Sequence, residues 1–144
     1  MLSQSVMYAT QALTVLARDP DQAMLVRDLA EAAHVPAPYL SKIIQKLVRK
    51  GVVTTQRGVG GGVALAQTPE TITLYDVCDA LDDPVIQPQC MISTAECTDD
   101  RACPCHSFWS KQRHELIAFL KQHSIFSTIS SDDSQENQSR GSSV

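Results

Sequence analysis

Most of the chain's reactive side chains crowd into one short stretch: Cys90, Cys97, Cys103, Cys105 and His106. The gaps read C-x6-C-x5-C, with a fourth cysteine two residues on and a histidine beside it. Thiolates and imidazoles bind transition metals, so this is a candidate metal-ligating loop. Structural zinc sites favour C-x2–4-C knuckles, because a tight turn aims two thiolates at one small ion. The wider gaps here suit a chain wrapped around a larger object, such as an iron–sulfur cluster. Taken alone, the residues leave zinc, an iron–sulfur cluster and a thiol switch open. Cys78 stands apart near Leu74, Val77 and Leu81 and reads as a small core residue. His34 reads as a turn residue, and His114 and His123 as surface positions, so none of the three is assigned as a ligand.

A second chemistry is electrostatic. The net charge of −4 and pI near 5.4 argue against nucleic acid until the charges are placed along the 144 residues. All 16 acids fall outside the stretch from Ala32 to Pro69, which holds Lys42, Lys46, Arg49, Lys50 and Arg57 and so carries +5. An acid-free basic block in an acidic chain suits an anionic partner.

The elements that must position these groups follow from periodicity. Ser3 or Ser5 can cap a first helix in which Val6, Ala9, Leu13 and Leu16 recur at helical spacing, up to Arg18. A second helix is predicted from about Val26 to Ala33, then a turn through His34-Val35-Pro36-Ala37-Pro38. Pro38 suits the first position of a third helix, Tyr39 to Lys50, which stops at Gly51. Leu40, Ile43, Ile44 and Leu47 form its buried stripe. Val52 to Thr55 and Val63 to Ala66 read as a β-hairpin with a glycine-rich tip carrying Arg57. Thr73 and Asp76 can cap a helix to about Leu81. After an aperiodic stretch, an amphipathic helix resumes at His106, with Trp109, Leu116, Phe119 and Leu120 on one side.

Three helices followed by a hairpin give the fold class: mainly α with a small β-hairpin, a winged helix-turn-helix plus a long C-terminal dimerisation helix. Residues 1–82 form the DNA-binding domain, 83–105 the cysteine-rich loop, 106–126 the dimerisation helix and 127–144 a disordered tail, which has almost nothing to bury. A recognition helix buries one face and offers polar and basic side chains on the other. Tyr39, Ser41, Lys42 and Gln45 stand where base edges would be met, and Lys46, Arg49 and Lys50 where phosphates would be. Arg57 suits a narrow minor groove. One short helix and one wing read few base pairs, so a homodimer on double-stranded DNA is expected.

Other classes find no support in the residues. The glycine-rich tip lacks the Gly-Lys-Ser/Thr ending of a phosphate-binding loop, and no Ser/His/Asp arrangement or cofactor fingerprint points to an enzyme. Neither a signal peptide nor a membrane-length apolar run is present, so a cytoplasmic protein with reduced thiols and no membrane partner is expected.

The run from Tyr39 to Val53, the Arg57-Gly-Val-Gly-Gly-Gly wing and the three-cysteine loop closely resemble the Rrf-type bacterial regulators, among them the IscR, NsrR and RirA groups. The similarity covers roughly Met1 to Phe126. It implies a homodimeric winged-helix transcription factor whose cluster senses iron–sulfur status, nitric oxide, iron or redox state. By that resemblance Cys90, Cys97 and Cys103 are cluster ligands, and His106 takes the place of the histidine ligand of the IscR group. The NsrR group uses an aspartate at the position held here by Met7, so that ligand is missing. Cys105 departs from the pattern and competes with His106 as fourth ligand. A histidine with three cysteines favours 2Fe–2S, whereas four cysteines leave 4Fe–4S open. The alternative is a zinc-stabilised or thiol-switch regulator of the same fold.

Overall fold

Ser3 starts the first helix: its hydroxyl accepts from the Val6 amide at 3.4 Å, and α1 runs Gln4–Arg18. The structure is a computed structural model that describes residues 1–100 and 103–129. Val6, Ala9, Leu13 and Leu16 are buried in one aliphatic core, together with Leu29 of α2 (Val26–Ala32). Helix α3 (Ala37–Arg49) begins two residues before the predicted start, because Pro36 is the extended N-cap and Pro38 falls inside the first turn. A proline is tolerated there, since first-turn amides have no helical partner. At the other end Gly51 takes φ +71°, a conformation that favours glycine and stops the helix.

The wing pairs β1 (Val53–Gln56) with β2 (Gly62–Leu65) in antiparallel register, Thr55 opposite Val63. Sequence reading missed a third participant. Met24, in the turn before α2, exchanges two backbone hydrogen bonds with Val63, at 2.9 and 2.7 Å. That bridge ties the hairpin to the helical body.

Helix α4 (Leu74–Ala80) carries the expected capping box, with the Asp76 amide donating to Thr73 Oγ1 at 3.1 Å and the Thr73 amide to the Asp76 carboxylate at 2.8 Å. Beyond it Asp83 is buried and caps a short 3₁₀ turn, Pro84–Ile86. Its carboxylate accepts from the amides of Ser3 and Val85, both at 2.9 Å, so it fastens the start of α1 to the start of the cysteine loop. Burial opposes the charge on Asp83, but the donors at Val85 and Ser3 outweigh it and hold its carboxyl below the usual range. Asp83→Asn therefore loses about 1.5–3 kcal/mol at neutral pH, since the amide cannot accept from both N–H groups with a full charge. A depressed carboxylate contributes its full stability above the unfolded-chain value of ~3.9 and loses it progressively as pH falls from there toward its lower folded value. The gap between variant and parent in denaturant titrations should hold near pH 7 and close as pH falls below about 4. A gap unchanged at pH 3 would exclude this account.

Helix α5 (His106–Gln122) buries only Leu120 fully. Phe119, on the apolar side of the helix, is half exposed and stacks on His123 with ring centroids 4.1 Å apart. The chain then turns back on the body: the amide of Ile125, a buried residue, donates to Ile72 O at 2.8 Å, and the Leu74 amide donates to His123 O at 2.9 Å. The disorder expected from residue 127 is not found at its first three positions, because residues 125–129 are helical and Thr128 Oγ1 lies 2.9 Å from Thr14 Oγ1. The rest of that expectation, residues 130–144, lies outside the described residues.

Candidate DNA-binding face and cysteine loop

The stripe Leu40, Ile43, Ile44 and Leu47 is buried, which turns Ser41, Lys42, Gln45, Lys46, Arg49 and Lys50 outward together. Tyr39 is 56% exposed at the start of α3 and meets Tyr8 of α1 edge-on, with ring centroids 6.2 Å apart. Ser41 donates its hydroxyl to Ala37 O at 3.1 Å, so toward a partner it acts as an acceptor. Arg57 is exposed immediately after β1, at the root of a tip where Gly58 and Gly60 take φ +94° and +74°. All eight predicted DNA-facing residues are thus on the surface.

The basic block is less uniform than the sequence reads. Lys50 Nζ lies 3.4 Å from Asp79 and Lys46 Nζ 3.8 Å from Asp82, both acids belonging to the α4 end. Among the described residues, Lys42, Arg49 and Arg57 enter no ion pair. The available signal was spacing: two lysines four apart on one helix, and two aspartates three apart at the end of another.

The cysteine loop folds against α5. The Cys90 amide donates to Ala95 O at 3.0 Å and the Cys97 amide to Pro88 O at 2.9 Å, around a Gln89–Glu96 bridge. Trp109 Nε1 donates to Gln89 O at 2.9 Å and Arg113 to Gln87 O at 3.4 Å, clasping the near end of the loop to the helix. His106, Trp109 and Arg113 recur at helical spacing, and that was the signal for this loop-bearing face.

Cys90, Cys97, Cys103 and His106 line one cavity of about 290 Å³. Cys105, the N-cap of α5, is not on that wall. His106 Nδ1 lies 3.0 Å from Cys97 Sγ, and its Nε2 lies 2.8 Å from the Asp99 carboxylate. Asp99 was not singled out from sequence; its carboxylate sits against Nε2 of the ring whose other nitrogen faces Cys97, the arrangement by which an outer carboxylate orients a ligating imidazole. Lost solvation raises the Cys97 thiol above its ordinary range, neighbouring Cys90 adds to this, and the Arg113 charge opposes it. Among the described residues, no three His, Cys, Asp or Glu side chains converge closely enough to hold one metal ion. Cys78 lies in the core as expected, its thiol pushed up to about 11 by burial and by Asp83. It has no part in this loop's chemistry.

Three packed helices, a wing pinned to their body and an outward-facing basic helix define a winged-helix transcriptional regulator. The family model Rrf2, described as an iron-dependent transcriptional regulator, matches residues 2–130, and the chain belongs to that family. A protein of Aquifex aeolicus strain VF5, classed among HTH-type transcriptional regulators, is 29% identical over 135 residues, covering 92% of this chain and 94% of that one. The HTH-type transcriptional regulator IscR of Yersinia pseudotuberculosis is 25% identical over 124 residues, covering 86% and 75%. Solved structures share the fold: CymR, the global cysteine regulator of B. subtilis, has a TM-score of 0.74 at 21% identity over 90% of this chain and 96% of that one. IscR of T. potens has a TM-score of 0.74 at 23% identity over 96% and 90%. These relatives are regulators and not enzymes, and so is this chain. Among the described residues, no helix is long and apolar enough to cross a membrane.

Proposed function

We propose that this chain works as a cytoplasmic homodimer on double-stranded operator DNA and holds an iron–sulfur cluster on Cys90, Cys97, Cys103 and His106. The observation that carries the reading is the shared cavity: Cys90, Cys97, Cys103 and His106 line one space of about 290 Å³. A donor set rich in thiols around a space of that size supports a cluster, whose ligands spread over more than one metal atom, over a single zinc ion, whose ligands meet at one centre. Cys105 lies off the wall, so His106 is the favoured fourth ligand and 2Fe–2S the favoured type. When bound, the cluster supplies a centre that responds to iron, sulfide, oxidants and nitric oxide.

The chain's own residues would carry that state to DNA. The loop joins α4, whose end meets α3 through Asp79 and Asp82, to α5, which leaves Phe108 and Phe119 exposed for a second copy. Trp109 and Arg113 fix the loop to α5, and Asp83 fixes its start to α1. Ordering or releasing the segment between those clasps alters the separation or tilt of the paired recognition helices. A change of a few ångströms against a half-site repeat of about 34 Å spoils simultaneous docking. Tyr39, Ser41, Lys42 and Gln45 would then read bases, Lys46, Arg49 and Lys50 would hold the backbone, and Arg57 would enter the minor groove.

An anaerobic visible spectrum of freshly purified protein, with iron and acid-labile sulfide assayed on the same sample, tests the reading. The expected result is absorbance between roughly 320 and 460 nm with about two irons and two sulfides per chain. About four irons would move the fourth ligand to Cys105 and the type to 4Fe–4S. Colourless protein with stoichiometric zinc overturns the cluster reading, and colourless, metal-free protein that cannot be reconstituted leaves the thiol switch.

A further inference from the structure

The ammonium groups of Lys46 and Lys50 each stand within ion-pair distance of a carboxylate. Lys50 Nζ stands 3.4 Å from Asp79, and Lys46 Nζ stands 3.8 Å from Asp82. We infer that Asp79 and Asp82 are internal stand-ins for DNA phosphates, which hold Lys50 and Lys46 and set how tightly this protein binds DNA of any sequence. The inference deepens the DNA-binding reading and rests on α3 facing the duplex.

Three observations carry it. First, the two pairs form one matched set. Lysines one turn apart on α3 meet aspartates about one turn apart at the end of α4, in antiparallel order, so one packing of the helices satisfies both. Asp82 reaches its lysine from beyond the last turn of α4, at φ +53°, a left-handed conformation that aspartate and asparagine adopt more readily than most residues.

Second, the pairs are open to solvent: the four side chains are between 46% and 74% exposed. Exposed pairs add little to folding and exchange readily with other ions. Their effect therefore falls on whatever anion approaches the same lysines. Third, among the described residues the two carboxylates enter no other hydrogen bond or ion pair. Asp76 caps α4 and Asp83 caps the next turn, whereas Asp79 and Asp82 serve only the lysines.

The physical consequence is a competition. A phosphate arriving at Lys46 or Lys50 must displace a tethered carboxylate or share the ammonium with it, and the neighbouring acid repels the phosphate as well. Two of the five cations in the acid-free block are thus discounted, which leaves Lys42, Arg49 and Arg57 to supply most of the attraction. Sequence-independent affinity rests on such contacts, and each phosphate neutralised steepens the dependence of log K on log salt by about 0.9.

The test compares the full-length protein with Asp79→Asn/Asp82→Asn on a random-sequence 30-base-pair duplex, by fluorescence anisotropy over a salt series. Asparagine keeps the shape of both side chains and accepts the left-handed position at residue 82. The expected result is binding about three- to tenfold tighter at low salt, with a salt slope steeper by about one to two. A control, Asp21→Asn/Glu70→Gln, removes the same charge from two exposed acids outside both pairs. If the control tightens binding equally, the effect is one of net charge and the inference is overturned. Unchanged affinity and slope in the Asp79/Asp82 variant also overturn it, while the DNA-binding reading survives. Absence of salt-dependent binding by the unaltered protein overturns both.

Discussion

Cys97→Ala purified without oxygen should be colourless, with more than about tenfold less iron and sulfide than the parent, because removing a ligand exceeds the loss seen on removing a supporting residue. Cys97 is held at both its backbone and its sulfur. Its amide is fixed to Pro88 O at 2.9 Å, and its sulfur lies 3.0 Å from His106 Nδ1 on the cavity wall. The loop is largely exposed and contributes little to the core, so the variant should melt within a few degrees of the parent. Cys105→Ser provides the contrast and should retain full colour and metal content, since Cys105 lies off the wall. Reversal of the two results would make Cys105 the ligand and change the cluster type. Retention of iron by Cys97→Ala would remove the proposed ligand set altogether. Both variants can be read by metal analysis alone, before any DNA measurement.

What the sequence discloses depends on how far apart the cooperating residues lie. The stripe of α3, the capping box of α4 and the stop at Gly51 are local, and each is written within a few neighbouring positions. Periodicity therefore finds them. Asp83 reaching back to Ser3, Met24 pairing with Val63, and Asp79 and Asp82 meeting α3 join residues between 29 and 80 positions apart. No local pattern encodes such meetings. The acid-free block illustrates the gap: it is acid-free along the chain, but two of its lysines face acids in space.

The apolar pattern of α5 is legible but leaves the partners open. Trp109, Leu116, Phe119 and Leu120 are legible as apolar, but the pattern does not say which neighbour each one serves. Leu120 enters the core, Trp109 spends its indole N–H on the loop, and Phe119 stays half exposed. The cysteine spacing proposes a candidate ligand loop without ranking Cys105 against His106, because the two are adjacent in sequence. They differ in position: Cys105 is the N-cap, and His106 is the first residue of α5, on the face that carries Trp109 and Arg113.

Gly62→Ala should cost about 2–4 kcal/mol and lower the melting temperature by roughly 5–15 °C. Two causes add. Gly62 takes φ +133°, where alanine is strained by about 1–2 kcal/mol. A methyl there would also be driven into the Met24 carbonyl and within 2.8 Å of the Leu25 amide nitrogen, all of it backbone. Backbone cannot swing aside as a side chain tip does, so relief requires breaking the two Met24–Val63 hydrogen bonds. Gly60→Ala isolates the first cause: φ is +74° and nothing lies within 4 Å of the added carbon, so about 1 kcal/mol is expected. Equal losses in the two variants would show that the Met24 bridge contributes nothing. A larger loss at Gly62 would show that the wing is held by the turn before α2. Salt-dependent DNA binding of the folded Gly62→Ala fraction should then fall too, because the wing would present Arg57 from a displaced hairpin while α3 is unchanged.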